Sequence, residues 1–152
     1  MHLKIPTVRD KGVTIPTQGT TSSAGYDLCA AISAPVTLKP GQRQTFATGL
    51  RMAIPSGFVG MICPRLGLAA RYGVTVLNAP GFIDADERGD ITVVLINHGE
   101  NPFTVNPGER IAQIVFVHTQ RAVFIPSFGL EPTERSAARR QSELAEPACT
   151  AA

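Results

Sequence analysis

The sequence lacks the cysteine pattern of a stapled or metal-clamped fold: Cys29, Cys63 and Cys149 are odd in number and form no CxxC pair. Neither a disulfide framework nor a zinc site is supported, and a reducing cytoplasm is the expected setting. Long apolar runs are missing as well. The opening Met-His-Leu-Lys-Ile-Pro has no apolar stretch of the kind a signal peptide carries, and no segment approaches the roughly 18 to 20 apolar residues of a membrane span. No membrane association is expected. Charge of either sign is not in excess: 14 Lys and Arg against 12 Asp and Glu leave +2, so nothing requires a nucleic-acid partner. His2, His98 and His118 are not spaced as a metal site or a catalytic triad. No internal repeat divides the 152 residues, a length that suits one domain with a sizeable core.

What the chain has is punctuation. Fourteen Gly and twelve Pro cut it into short runs rich in Val, Ile, Thr and Phe, the pattern of many short strands. Strands are expected at 3–8, 26–30, 36–38, 42–47, 50–53, 57–63, 74–78, 81–83, 90–97, 103–105 and 111–117. Turns fall at Lys39-Pro40-Gly41, Ile54-Pro55-Ser56-Gly57, the 97–102 segment and Asn106-Pro107-Gly108. Only 66–72 reads as a short helix. The fold class is therefore all-β, a sandwich or jelly roll of about ten to twelve strands. Composition shifts near Pro126, where Ala, Glu, Arg and Ser take over, so 1–126 is read as the domain and 127–152 as a tail. Thr133 is placed to cap a short helix reaching Leu144.

The most informative stretch is Gly81-Phe82-Ile83-Asp84-Ala85-Asp86-Glu87-Arg88-Gly89-Asp90. In an extended chain Asp84 and Asp86 share a face, and Glu87-Arg88-Gly89 reads as a hairpin turn leading into the next strand. A carboxylate fixed at the base of such a hairpin can hold and deprotonate a water, as hydrolysis of a phosphate ester or anhydride without a protein nucleophile requires.

Four segments stand in register around it: Ser23-Ala24-Gly25-Tyr26-Asp27-Leu28, Pro64-Arg65-Leu66-Gly67-Leu68-Ala69, Asn78 with the 81–86 stretch, and Gly108-Glu109-Arg110-Ile111-Ala112-Gln113. Together, with Thr48-Gly49-Leu50 and Ile54-Pro55-Ser56-Gly57 between the first two, they resemble the trimeric dUTP diphosphatase (dUTPase) family over about residues 5 to 126. The resemblance implies a β jelly roll of the β-clip type that forms a homotrimer, with active sites between subunits and a C-terminal arm that closes over dUTP. It implies that Asp84 activates the water that attacks the α-phosphorus, yielding dUMP and pyrophosphate. Mg²⁺ would be the cofactor, arriving on the triphosphate and held mainly by phosphate oxygens and waters, with Asp27 close to it through water. Arg65, Gly67 and Gln113 would meet the phosphates, Arg65 together with backbone N–H groups after it. Asn78, the backbone of Phe82, Ile83 and Asp84, and Thr92 on the returning strand would select uracil. Arg110 and Glu109 are left between structure and site.

Three departures from the family pattern bear on catalysis. Leu66 stands where the family has a serine that bonds the phosphates; losing a bond to a charged group is worth about 1.5 to 3 kcal/mol, or roughly ten- to a hundredfold in rate. Glu87 stands where a tyrosine stacks under the deoxyribose, so discrimination against UTP should weaken. The glycine-rich closing motif is absent: after Thr133-Glu134-Arg135 comes Ser136-Ala137-Ala138-Arg139-Arg140-Gln141, so Arg135 alone is carried over from the motif, as a γ-phosphate contact, and Arg139 and Arg140 are read as a solvated basic tail. The expected function is dUTP hydrolysis, slower and less selective than in the family. The alternative is a catalytically impaired dUTPase-like trimer with a nucleotide-binding or regulatory role. A related activity, dCTP deamination, needs a glutamate where this chain has Val93-Val94.

Overall fold

The computed structural model describes residues 2–136. Eleven strands and one helix follow in the order β1 (Thr7–Arg9), β2 (Tyr26–Cys29), β3 (Val36–Leu38), β4 (Arg43–Ala47), β5 (Leu50–Met52), β6 (Phe58–Cys63), α1 (Leu66–Tyr72), β7 (Val74–Val76), β8 (Gly81–Ile83), β9 (Thr92–Asn97), β10 (Phe103–Val105) and β11 (Arg110–His118). All pairings are antiparallel, in a four-stranded sheet β2-β11-β6-β8, a three-stranded sheet β4-β9-β7, and the pairs β1-β5 and β3-β10. This is an all-β jelly roll. The strands are short because a Gly or Pro turn interrupts nearly every run before it reaches ten residues.

Alternation builds the core. Along β9, Val93, Leu95 and Asn97 point inward and Thr92 outward, and the inward set meets Leu28, Ile62 and Ile114 from the four-stranded sheet and Phe46, Val74 and Val76 from its own. Asn97 is the polar exception, and its amide is fully used. Nδ2 donates to the carbonyls of Leu38 and Asn101, both at 2.9 Å, and Oδ1 accepts from the Gly99 amide at 2.8 Å. Helix α1 ends at Gly73, whose φ of 67° is left-handed and whose amide donates to the Ala69 carbonyl.

One expected connection is different. β8 and β9 do not form a hairpin: β8 pairs with β6 in the four-stranded sheet, while β9 pairs with β4 and β7. The hairpin is β7–β9, extended by the Leu77 amide to the Val94 carbonyl, and β8 sits inside its long connection. Thr92 therefore pairs with Ala47 of β4, not with the strand that carries Phe82. The tight turn also comes earlier than Glu87-Arg88-Gly89, since the Glu87 amide donates to the Asp84 carbonyl at 3.1 Å. That turn ends the extended period, so Asp84 and Asp86 are not side by side on a strand face.

The chain divides into two units, one running to Gln120 and a second starting at Arg121. All eleven strands belong to the first. In the second, among the described residues, Thr133 Oγ1 accepts from the Ser136 amide at 3.2 Å and Ser136 Oγ accepts from the Thr133 amide at 2.9 Å, which starts a helical turn. The rest of the helix expected to reach Leu144 lies outside the described residues. No helix among the described residues is long and apolar enough to cross a membrane.

Candidate active site

β11 is the strand on which the site is assembled. Its Gln113 lies opposite Asp27 of β2 on one side and Cys63 of β6 on the other, so three segments distant in sequence meet in one row across the sheet. From the end of β6 the chain continues as Pro64 and Arg65, and the Gln113 side chain fastens that exit: Nε2 donates to the Pro64 carbonyl at 3.0 Å. The position depends on Gly25. A Cβ at residue 25 would stand 2.0 Å from Gln113 Oε1, so only glycine leaves room for the amide.

Arg65 folds back on Asp27. Its Nε lies 3.0 Å from Asp27 Oδ1, and its Nη1 donates to the Arg110 carbonyl at 3.1 Å. Arg110 takes the other carboxylate oxygen, Nη1 to Oδ2 at 3.2 Å. The Asp27 side chain is only 18 % exposed, against 26 % for Arg65 and 60 % for Arg110. Two guanidiniums around one carboxylate leave a local formal charge of +1, and Arg65 retains N–H groups beyond its hydrogen bond and its ion pair inside the cluster. The cluster can accept an anion. Beside it, burial and then the Asp27 carboxylate push the Cys29 thiol above its ordinary pKa, so it stays protonated at neutral pH and offers no nucleophile.

Leu66, next to the cluster, is 82 % exposed. A Cβ on Gly67 would meet only the Arg71 guanidinium, at 3.4 Å, so nothing else in its own chain calls for a glycine there.

Asp84 is elsewhere. It follows β8, whose Gly81 lies opposite Ile62 and whose Ile83 lies opposite Gly60, so Asp84 is at one end of β6 and Arg65 beyond the other. The three residues from Gly60 to Cys63 alone span about 10 Å at a rise of about 3.3 Å each. Asp84 is exposed, and its loop is tied internally. Glu87 Oε1 accepts from the Arg88 amide at 2.8 Å, and Arg88 Nη1 donates to the carbonyls of Ala85 at 2.8 Å and Glu87 at 2.6 Å. Ile83 packs on the core, Phe82 is 61 % exposed, and Asn78 is exposed before the turn into β8. Being the last strand of its sheet, β8 leaves one row of backbone donors and acceptors unpaired in the sheet. Arg135 is exposed, in the second unit.

The structure thus brings together Asp27, Arg65 and Gln113, and adds two residues the sequence reading did not single out for a role. Arg110 completes the ion-paired cluster, and Gly25 makes room for Gln113. The spacing Gly-x-Asp at the start of β2 was the only available signal for the second.

The fold is thus a jelly roll with a pair of arginines set around a carboxylate, an arrangement whose chemistry suits an anionic ligand. Comparison with known proteins sharpens that class. The dUTPase family model matches residues 11–142. Among solved structures, a variant dUTPase of phage 80alpha is 22 % identical with a TM-score of 0.78, covering 89 % of this chain and 95 % of its own. Another variant dUTPase of Staphylococcus bacteriophage 80alpha, solved with dUpNHpp, is 21 % identical at TM-score 0.76, covering 85 % of this chain and 99 % of that one. A variant dUTPase of phage phi11 of S. aureus, described with a structural Mg(II) ion, is 19 % identical at TM-score 0.74, covering 83 % and 97 %. The chain belongs to the dUTPase family. Its class is dUTP diphosphatase, a hydrolase of nucleotide metabolism.

Mg²⁺ goes with that family, and the residues present do not form a resident site for it. Among the described residues no three His, Cys, Asp or Glu side chains converge on a point that would hold a metal ion. Asp27 has both oxygens engaged by arginines, within a cluster of net positive charge. A cation carried in on the triphosphate is part of the substrate.

Proposed function

We propose that this chain cleaves dUTP between the α- and β-phosphates in a site completed by two copies. Asp84 of one copy accepts a proton from a water whose oxygen bonds to the α-phosphorus; the bond to the bridging oxygen breaks, and pyrophosphate leaves with that electron pair. Arg65 and Gln113 of a second copy bind the phosphates, and Gly67 gives them close access to the backbone. The free edge of β8, with Asn78 before it and the Phe82, Ile83 and Asp84 backbone along it, reads the uracil by hydrogen bonds. Arg135 is the group proposed for the γ-phosphate. The assembly is a homotrimer.

The observation that carries the reading is the register of β6 with β8 and β11. Within one chain Asp84 and the arginine cluster lie off opposite ends of a strand, which supports this reading. A phosphorus atom attacked beside Asp84 lies beyond the reach of the same chain's Arg65, so a second copy must supply the partner group.

Leu66 lies at the phosphate end with no hydroxyl to donate, so turnover is slower than a serine would allow. The test is Asp84→Asn, which keeps the shape and removes the base. Release of pyrophosphate from dUTP should fall by about 10² to 10⁴-fold with thermal unfolding unchanged. An unchanged rate would contradict the mechanism.

A further inference from the structure

We infer that Asp27 is a positioning residue: it holds Arg65 and Arg110 as a preformed seat for the pyrophosphate part of the substrate, and that seat binds its anion without a metal ion. The inference rests on the reading of Arg65 as a phosphate contact.

Three distances carry it. Asp27 Oδ1 meets Arg65 Nε at 3.0 Å, its Oδ2 meets Arg110 Nη1 at 3.2 Å, and Arg65 Nη1 is tied to the Arg110 carbonyl at 3.1 Å. Arg65 is thus anchored on its inner side by one hydrogen bond and one ion pair, which leaves the rest of its fork for a ligand. The carboxylate is the most buried of the three side chains and the only negative one in the cluster. It offsets the repulsion of the two guanidiniums and fixes their planes, so that neither has to lose rotamer freedom when an anion arrives. Each oxygen of the carboxylate already faces a guanidinium, which makes it a weaker ligand for a cation. The net charge of its surroundings also opposes one.

Two roles for Asp27 predict opposite signs. If the carboxylate were a holder of the cation or a bystander, removing its negative charge would tighten or leave unchanged the binding of a metal-free anion. If it positions the arginines, removing it weakens that binding. The experiment is calorimetric titration of inorganic pyrophosphate in EDTA into the wild-type protein, Asp27→Asn and Arg65→Met, together with the Mg²⁺ concentration that half-saturates dUTP turnover. Asp27→Asn should weaken metal-free pyrophosphate about tenfold and leave the half-saturating Mg²⁺ within about twofold. Equal or tighter pyrophosphate binding in Asp27→Asn, or a rise in half-saturating Mg²⁺ beyond about fivefold, would overturn the inference. The wild-type titration decides without any variant having to fold: pyrophosphate that binds only when Mg²⁺ is present also overturns it. Arg65→Met separates the two claims. Should it bind pyrophosphate like the wild type, the reading of Arg65 as a phosphate contact fails. Should it lose binding while Asp27→Asn does not, that reading stands and only the role of Asp27 falls.

Discussion

Gln113 reaches the Pro64 carbonyl because residue 25 has no side chain. With a Cβ 2.0 Å from Oε1, Gly25→Ala must push the amide off its bond, and the exit of β6 that carries Arg65 loses its fastening. We expect Gly25→Ala to lower kcat/KM for dUTP about tenfold, the worth of one misplaced polar contact. Gln113→Ala should cost a similar amount, and the double variant little more than either, because both act through one hydrogen bond. Fully additive losses would show that glycine serves something else. Glu87 belongs to this scale too: its carboxylate accepts an amide of its own loop, so in this chain it first shapes the turn that presents Asp84.

At the scale of elements, much of the fold was legible. The strands 36–38, 81–83 and 103–105 and the helix 66–72 coincide with what was read from alternation and turn residues, and most other boundaries moved by one or two residues. Pairing was not legible in the same way. Turn chemistry reports where the chain can bend, but β8 chose β6 over β9 because of packing between distant segments, which no local window contains. The same limit applied to the site. The family motifs supplied Asp27, Arg65 and Gln113 as types, yet the bond between Arg110 and Asp27 crosses 83 positions and exists only in the folded sheet. Asn97 shows the energetic side of such joins. Its amide links the ends of β3 and β9 to the following loop, with no exposure to water. Asn97→Ala should destabilise the fold by about 2 to 4 kcal/mol in urea unfolding, since it strands buried donors and acceptors as well as removing bonds. A loss below about 1 kcal/mol would mean water replaces the amide.

At the scale of the whole molecule, a single jelly roll sets Asp84 and Arg65 off opposite ends of β6, and the proposed function makes each one half of a site. On that proposal association is part of catalysis, since the copies that meet would bring Asp84 of one to the arginines of another. The most direct test is complementation. Asp84→Asn and Arg65→Met are each expected to be nearly inactive alone, and they damage opposite halves. When the two are unfolded together and reassembled at equal amounts, about a quarter of the shared sites should pair an intact Asp84 with an intact Arg65, restoring about a quarter of wild-type dUTP turnover. Mixed assemblies that form, as shown by mass, yet stay as inactive as either parent would contradict the shared site and place the whole reaction within one chain.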